Sequence, residues 1–397
     1  MELPALVLKK NEDRRLRAGH LWVFSNEVDT ARSPLTAFAP GQMVRVTDTR
    51  GEALGSAYVN PNSLICARMV SRDADVVLDR SLLVHRLNVA LSLRERVYPR
   101  PHYRLVHAES DGLPGLVVDR FGDVLVAQLN TAGMDSRRDE VIEALVKVLK
   151  PAGILLRNDT PARQLEGLPL GVETAWGSVP DSVRIEENGA LFDVPLQGGQ
   201  KTGWFYDHRD NRARMQRYVR GARVLDVFSY IGGWGIQAAV AGAKEVVLVE
   251  ASEAALEHAG ANAALNGVDD RVSGLLGDAF DALKSLRAAR EHFDVVVVDP
   301  PAFIKRRKDA AEGIQAYRRI NQAAMQLLGK DGILVSASCS YHLERATLLS
   351  LMDKSARHLD RSLQMLEQGG QGPDHPVHPA IPETDYLKCF IGRVVLR

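Results

Sequence analysis

Two short segments toward the C-terminal end of the chain carry side chains that could do covalent chemistry on a nucleobase. A run of four valines ends in Asp299-Pro300-Pro301-Ala302-Phe303, and about 40 residues later an apolar run ends in Ser338-Cys339-Ser340. A thiolate can add to an electron-poor ring carbon, and a neighbouring carboxyl group can hold a ring nitrogen. Asp-Pro-Pro after a strand is typical of a rim that takes in a flat, nitrogen-containing base. We therefore predict Cys339 as nucleophile and Asp299 as its catalytic partner.

Carbon 5 of cytosine is a base position that would need this pair. It becomes nucleophilic only after a thiolate adds to C6; it then takes a methyl group, loses its proton and releases the cysteine. An ordinary cysteine pKa is about 8.5, so such a site must stabilise the thiolate. Lys201, Lys305 or a helix N-terminus after Ser340 could stabilise the thiolate, and the sequence does not show which of them does. A cysteine at a strand end is also a common buried apolar residue, which is what we predict for Cys66 and Cys389.

A glycine-rich loop upstream predicts a cofactor site. Residues 229–235, which follow a predicted strand at 224–228, contain three glycines that let the backbone approach a ligand. Their spacing is not G-x-G-x-x-G, which disfavours a dinucleotide dehydrogenase. Glu250 ends the next strand, where it could accept hydrogen bonds from ribose hydroxyls, and Asp278 could hold an adenine amino group. The predicted cofactor-binding residues are Lys201, Phe205, Asp207, Arg209, Asp226, Phe228, Ser229, Gly232, Gly233, Glu250, Ala251, Asp278, Ala279 and Asp299.

Two basic clusters are candidates for contacts with RNA phosphates. One contains Arg14, Arg15 and Arg17, and the other is Lys305-Arg306-Arg307-Lys308, directly after the Asp-Pro-Pro loop. The net charge is zero, so a nucleic-acid surface must be a local patch. Exposed charge runs are usually only solvated, and this alternative stays open for the second cluster.

Length and patterning predict several domains. At 397 residues the chain is longer than one domain usually is, and we expect a β-rich module at 1–74, an α+β domain at 75–190 and a third domain at 191–397. In the third, strands alternate with helices, which predicts a doubly wound parallel sheet with sites at the carboxyl ends of its strands.

The cysteines and the hydropathy predict where the protein works. Three widely separated cysteines argue against a disulfide framework and for the reduced cytoplasm. No run approaches about 18 apolar residues, so we expect no membrane partner. We predict no metal site, because His375 and His378 lack further ligands.

The chain resembles the bacterial large-subunit ribosomal RNA cytosine-C5 methyltransferases that carry an N-terminal PUA domain. The resemblance covers nearly the whole length and rests on residues 17–25, 109–116, 201–203, 207–209, 228–230, 299–303, 338–340, 374–376 and 386–388. It implies an α/β fold with a PUA domain, a central α+β domain and a Rossmann-like class I methyltransferase domain. It also implies S-adenosylmethionine (SAM) as cofactor, ribosomal RNA as partner, the cysteine matching Cys339 as nucleophile, and often a homodimer.

One departure leaves a role unassigned, and two other functions stay open. Many RNA cytosine-C5 methyltransferases carry a second cysteine in the Asp-Pro-Pro region, where this chain has Ala302, so the base that removes the C5 proton is not identified. The first alternative is methylation of a base nitrogen, with Cys339 incidental; some relatives with a similar motif modify guanine and lack the cysteine. The second is a non-catalytic RNA-binding assembly factor that retains the SAM fold.

Overall fold

The computed structural model describes residues 3–397, and contacts between residues divide the chain into two compact units. The first unit contains the residues up to Val183 together with Pro195–Trp204 and Pro373–Thr384. The second contains Arg184–Val194, Phe205–Gly372 and Asp385–Arg397. A segment from near the C-terminus is therefore part of the N-terminal unit.

The first unit begins with a five-stranded sheet in the order β1-β3-β4-β5-β2, in which only β1 and β3 pair in parallel. Its strands are β1 (Ala5–Val7), β2 (Trp22–Phe24), β3 (Gln42–Thr47), β4 (Ala53–Val59) and β5 (Ile65–Ser71), with a short helix α1 (Arg14–Arg17). Single-turn 3₁₀ helices lie at Ser25–Glu27 and Leu35–Ala37.

A second five-stranded sheet, in the order β10-β9-β8-β7-β6, completes the first unit. Its strands are β6 (His102–His107), β7 (Leu116–Phe121), β8 (Val124–Leu129), β9 (Gly153–Arg157) and β10 (Val172–Gly177); its helices are α2 (Arg80–Val97), α3 (Ala132–Asp135), α4 (Arg138–Leu149) and α5 (Pro161–Leu165), with a 3₁₀ turn at Ala108–Asp111. Buried polar contacts link it to the first sheet: the Trp22 indole N–H and the Arg68 guanidinium both donate to the Glu109 carboxylate, at 2.8 and 2.5 Å.

Arg94 joins the late segment Pro373–Thr384 to this unit. It lies on α2, is fully buried, and donates to both carboxylate oxygens of Asp111 at 2.6 and 2.7 Å. It also donates to the backbone oxygen of Asp374 at 2.8 Å, and the Asp374 carboxylate accepts from the Arg104 N–H and lies 2.9 Å from Nδ1 of His375. A buried guanidinium needs such partners, so this part of the fold depends on a residue 280 positions away.

The second unit is built on a seven-stranded sheet in the order β15-β14-β13-β16-β17-β19-β18. Its strands are β13 (Arg223–Val227), β14 (Glu245–Glu250), β15 (Val272–Leu276), β16 (Phe293–Val298), β17 (Leu328–Ser338), β18 (Arg361–Gly369) and β19 (Lys388–Leu396), and a separate hairpin is formed by β11 (Ser182–Glu187) and β12 (Ala190–Pro195). Its helices are α6 (Arg209–Met215), α7 (Gly235–Val240), α8 (Glu253–Leu265), α9 (Ala279–Ala288), α10 (Ala310–Leu327) and α11 (Arg345–His358), with 3₁₀ turns at Tyr206–His208, Gln216–Tyr218 and Arg307–Asp309; one more, Pro382–Thr384, lies in the late segment of the first unit.

The predicted parallel sheet is confirmed, with one addition. Strands β13 to β17 pair in parallel, whereas β17–β19 and β18–β19 are antiparallel. The four valines of β16 are at most 1% exposed, as expected for a strand covered on both faces. The carboxyl ends of neighbouring parallel strands meet at one edge of the sheet. Phe228, Glu250, Asp299 and Cys339 lie at or directly after such strand ends.

Within residues 3–397, no helix is both long enough and apolar enough to cross a membrane.

Candidate active site

The loop after β13 has an unusual backbone. Phe228 and Tyr230 have positive φ angles of 69° and 51°, a conformation uncommon for residues other than glycine. Gly232 has φ of 88°, and a Cβ there would come within 2.4 Å of the Ile236 side chain. Three left-handed residues within five positions fold the chain tightly before α7. Backbone strain of this kind concentrates at binding sites. The sequence pointed to the glycines of this loop but not to the positive φ angles of Phe228 and Tyr230.

Two buried polar atoms in this loop region have no hydrogen-bond partner among the described residues. They are Oδ1 of Asp226, a residue of β13 that is fully buried, and Oγ of Ser229. The other Asp226 oxygen accepts from the Gly235 N–H at 2.8 Å. Burial raises the pKa of Asp226 to about 7, helped by the charges of Asp299 and Glu250 and opposed by the Gly235 bond. Unsatisfied buried polar atoms are costly, so these two are well suited to a polar ligand.

Glu250 lies at the end of β14 and fixes the loop from the neighbouring strand. One carboxylate oxygen accepts from the Tyr230 N–H at 2.8 Å. The other accepts from the N–H groups of Ala251 and Ser252, at 2.9 and 3.0 Å, just before α8. A carboxylate has more acceptor positions than these three bonds use, so Glu250 can also receive ribose hydroxyls.

Asp278 has a structural task that sequence analysis did not assign. Its side chain caps α9 by accepting from the N–H groups of Phe280 and Asp281, at 2.8 and 3.3 Å. Ala279 is the first residue of that helix and is 5% exposed. Asp followed by a helix is a recognisable capping pattern, so the sequence did contain this signal.

Asp299 follows β16 and is held by two donors from other segments. Its Oδ2 accepts from the Trp234 indole N–H at 3.0 Å, and its Oδ1 lies 3.3 Å from Nε2 of His208. The Asn211 amide lies 3.2 Å from Nδ1 of His208; if it donates there, the ring proton sits on Nε2 and faces Asp299. Burial acts to raise the pKa of Asp299, but His208 and Trp234 outweigh it and hold the pKa below its ordinary value. Asp299 is therefore a carboxylate at neutral pH.

Cys339 directly follows β17, the strand beside β16, so it and Asp299 end neighbouring parallel strands. It is partly exposed, whereas Cys66 and Cys389 are buried, as predicted for them. Burial raises the pKa of both buried thiols, to about 12 for Cys66 and further for Cys389. Of the three cysteines, Cys339 alone combines access to solvent with a position at the edge of the sheet.

Of the residues predicted to bind the cofactor just before and at the start of α6, Phe205 contacts the loop after β13, whereas the others have different partners. Phe205 packs edge-on against Tyr230 of the loop, with ring centroids 5.7 Å apart. The Asp207 carboxylate accepts from the Tyr386 hydroxyl at 2.6 Å, and Arg209 lies 3.5 Å from the buried Glu187 carboxylate. Lys201, predicted with them, belongs to the first unit rather than the second.

Two residues of the site, Trp234 and His208, had no role assigned from sequence. Both contact the Asp299 carboxylate. Phe303 lies among Phe228, Phe280 and Tyr317, with ring centroids 4.9–6.4 Å away, as part of an aromatic cluster. His208 and Asp299 are 91 residues apart in sequence, so only the folded chain brings them together.

The two basic clusters differ in how far their charges are already neutralised. Arg15 pairs with Glu27 at 2.5 Å, and Arg17 contacts Asp13, Asp48 and Glu52 at 2.6–3.4 Å. Arg14 donates to the Asn11 side chain. In the second cluster all four residues are exposed, and Arg306 pairs with Asp309 at 3.0 Å.

Among residues 3–397, no three or more His, Cys, Asp or Glu side chains are grouped so that they could hold a metal ion.

Comparison with known proteins supports the fold and the cofactor. A PUA-like domain model matches residues 6–72, and a model of S-adenosylmethionine-dependent methyltransferases matches residues 163–388. The second unit fits SAM, since Glu250 and the unsatisfied atoms of Asp226 and Ser229 offer polar partners to its hydroxyl and ammonium groups.

Relatives and solved structures match over almost the whole length. The ribosomal RNA large subunit methyltransferases I of Erwinia tasmaniensis and Tolumonas auensis are both 38% identical, covering 98% of this chain and 99% and 98% of their own. A SAM-dependent methyltransferase structure from Streptococcus mutans has a TM-score of 0.83 at 20% identity and covers 98% of this chain and 100% of its own. A methyltransferase solved in complex with SAH has a TM-score of 0.84 with the same identity and coverage. The chain belongs to the family of SAM-dependent methyltransferases that includes the ribosomal RNA large subunit methyltransferase I proteins.

Proposed function

We propose that this protein methylates C5 of a cytosine in large-subunit ribosomal RNA through a covalent bond between Cys339 and C6. The observation that carries the proposal is the pairing of β16 with β17, which ends one strand at the Asp299 carboxylate and the next at the partly exposed Cys339 thiol. The relatives' names supply the RNA class. Methylation of a ring nitrogen would need no nucleophile at that position.

Two of the chain's own residues carry the proposed addition to the base. The Cys339 thiol loses its proton to solvent, and the thiolate forms a bond to C6. The electrons of the C5–C6 double bond shift through C4 onto N3, which takes up a proton from solvent. The Asp299 carboxylate, fixed by Trp234 and His208, accepts a hydrogen bond from protonated N3. SAM supplies an electrophilic methyl group when bound. C5 then loses its proton to solvent, the sulfur–C6 bond breaks with its electron pair returning to sulfur, and N3 gives back the proton that it took up, which restores the aromatic ring and the thiolate.

The basic residues proposed to contact the RNA around the target base are chosen by how exposed and how unpaired their charges are. Lys305, Arg307 and Lys308 are exposed beside the Asp-Pro-Pro loop and are suited to RNA phosphates. At Arg15 and Arg17 a phosphate would have to displace carboxylates, so a contribution from the Arg14–Arg17 cluster would be weaker. The boundaries 1–74, 75–190 and 191–397, the cytoplasmic location and the homodimer stay predictions.

Analysis of nucleosides tests the proposed function directly. Unmodified large-subunit ribosomal RNA made by transcription is incubated with the protein and methyl-labelled SAM, digested, and analysed by mass spectrometry. The expected product is 5-methylcytidine at one position. A label on a ring nitrogen would overturn the cytosine-C5 proposal, and SAM binding without any transfer would favour an assembly factor.

Glu250→Ala is expected to weaken SAM binding by about 1.5–3 kcal/mol, the usual size for hydrogen bonds to a charged group, or about 10- to 150-fold in Kd. The change removes a ribose acceptor together with the anchor of the Tyr230 N–H. Calorimetric titration of the folded variant measures it, and Glu253→Ala, an exposed acid in the first turn of α8, is the matched control. Equal affinity in wild type and Glu250→Ala would remove Glu250 from the cofactor site.

A further inference from the structure

Lys388 is a buried lysine whose ammonium is hydrogen-bonded only to neutral groups. It begins β19, is 4% exposed, and its ammonium donates to the backbone oxygens of Ser340 and Tyr386, at 2.7 and 2.8 Å. Within residues 3–397, these two carbonyls are the hydrogen-bond acceptors of the ammonium. A buried cation that is not paired directly with an anion is costly, so a negative charge formed nearby would be stabilised.

The fold places this ammonium beside the nucleophile. Lys388 is opposite Ser338 in the antiparallel pair of β17 and β19, and its side chain reaches the oxygen of Ser340. Lys388 thus pairs with Ser338 through its backbone and with Ser340 through its side chain, and these two residues flank Cys339 in the chain.

The turn that carries Cys339 is fixed by its two serines. The Ser338 and Ser340 hydroxyls both bond the Tyr317 hydroxyl at 2.8 Å, and the Ser340 N–H donates to Ser338 Oγ at 3.1 Å. Both serines are at most 1% exposed. Because both flanking residues are anchored inside, the backbone that carries Cys339 is held in place, and the Lys388 ammonium is bonded to that same backbone at Ser340.

The charged groups around Lys388 are few. Burial is the main cause that lowers the pKa of Lys388 to about 8; the charge of Asp385 opposes it, Arg345 adds to it, and a negative charge on Cys339 acts to raise the pKa. The Arg345 guanidinium is already bonded to the backbone oxygens of Gly369 and Leu387. Burial raises the pKa of Tyr317, the other titratable group beside Cys339, so its hydroxyl stays neutral. A pKa of about 8 leaves most Lys388 side chains charged at pH 7, and a negative charge on Cys339 would favour that charged form.

We propose that Lys388 is the positioning residue whose ammonium stabilises the Cys339 thiolate. This rests on the proposed function, in which Cys339 attacks C6. The thiol proton leaves to solvent, and the thiolate and the ammonium persist as an ion pair; Lys388 transfers no proton to the base. The pair exists above the pKa of the thiol and below that of the ammonium, and it is lost as the pH rises through about 8.

The test measures thiol reactivity without RNA or SAM. Alkylation of Cys339 by iodoacetamide is followed against pH by mass spectrometry of its peptide, with Cys339→Ala to assign the signal. Lys388→Met keeps the length of the side chain and removes its charge. In this variant the pH midpoint of the alkylation profile is expected to rise by about one pH unit or more, and the alkylation rate at pH 7 is expected to fall about tenfold. Lys388→Arg, which keeps the charge, should stay nearer to wild type. Lys354→Met, an exposed lysine on α11, is the control that should change nothing.

Two results would overturn the proposal. One is an unchanged midpoint in Lys388→Met that still binds SAM. The other needs no variant: a wild-type midpoint at or above the ordinary thiol value of about 8.5. The alkylation result does not depend on which atom of the base is methylated, so failure of this inference and failure of the cytosine-C5 proposal are separately visible.

Discussion

Cys339→Ala is expected to abolish methyl transfer to RNA while SAM binding stays within about twofold of wild type. Without addition to C6, C5 of cytosine lacks the electron density to take a methyl group. The lost thiol is small and partly exposed at the end of β17, so the sheet should tolerate its removal. Methyl transfer measured with labelled SAM, and SAM affinity measured by calorimetry, separate the two effects.

A trapping experiment sharpens the same prediction. RNA with 5-fluorocytosine at the target position should form a covalent adduct with the wild-type protein. The adduct should survive denaturing electrophoresis, because fluorine cannot leave C5 as a proton does. Cys339→Ala should give no adduct. An adduct mapped to Cys66 or Cys389, or full C5 methylation by the variant, would contradict the mechanism. Label on a ring nitrogen would support the nitrogen-methyltransferase alternative.

Arg94→Ala is expected to destabilise the first unit by about 3–5 kcal/mol, the range found when one partner of a buried ion pair is removed. The change would leave the Asp111 carboxylate without its bidentate partner and would take a donor from the Asp374 oxygen. Urea unfolding followed by hydrogen exchange measures the loss, and exchange should rise most in Pro373–Thr384 and in α2.

Arg96→Ala provides the matched control. Arg96 is exposed on the same helix, two residues away, so its removal should change the unfolding free energy by less than about 0.5 kcal/mol. Equal stability of Arg94→Ala and Arg96→Ala would show that the buried Arg94–Asp111 pair makes no net contribution to the unfolding free energy. This happens when the cost of desolvating two charges cancels their attraction.

The parts of the second unit that could be predicted are those with local signals. Alternating strands and helices, glycines after β13, and acids at the ends of β14 and β16 are readable because each follows from neighbours along the chain. The capping role of Asp278 was also readable, since a cap is a local pattern.

What escaped prediction depends on distant segments. The antiparallel β18 and β19 follow the last parallel strand, and a periodic pattern does not reveal the direction of pairing. Lys388 resembles an ordinary surface lysine until β17 and β19 pair and bury it. The basic cluster at Arg14–Arg17 suggested free charge, because Asp48 and Glu52 approach Arg17 only in the folded sheet.

The path of the chain has a consequence for biosynthesis. Arg94 leaves the ribosome well before Asp374, which follows it by 280 residues. At about 5–20 residues per second, that interval is roughly 15–60 s. During this time the nascent N-terminal unit has Asp111 but lacks the segment Pro373–Thr384, whose Asp374 completes the buried charge cluster. The unit therefore reaches its final stability only after Asp374 has left the ribosome. A ribosome stalled before codon 374 would carry an N-terminal unit that is folded incompletely and is open to proteases.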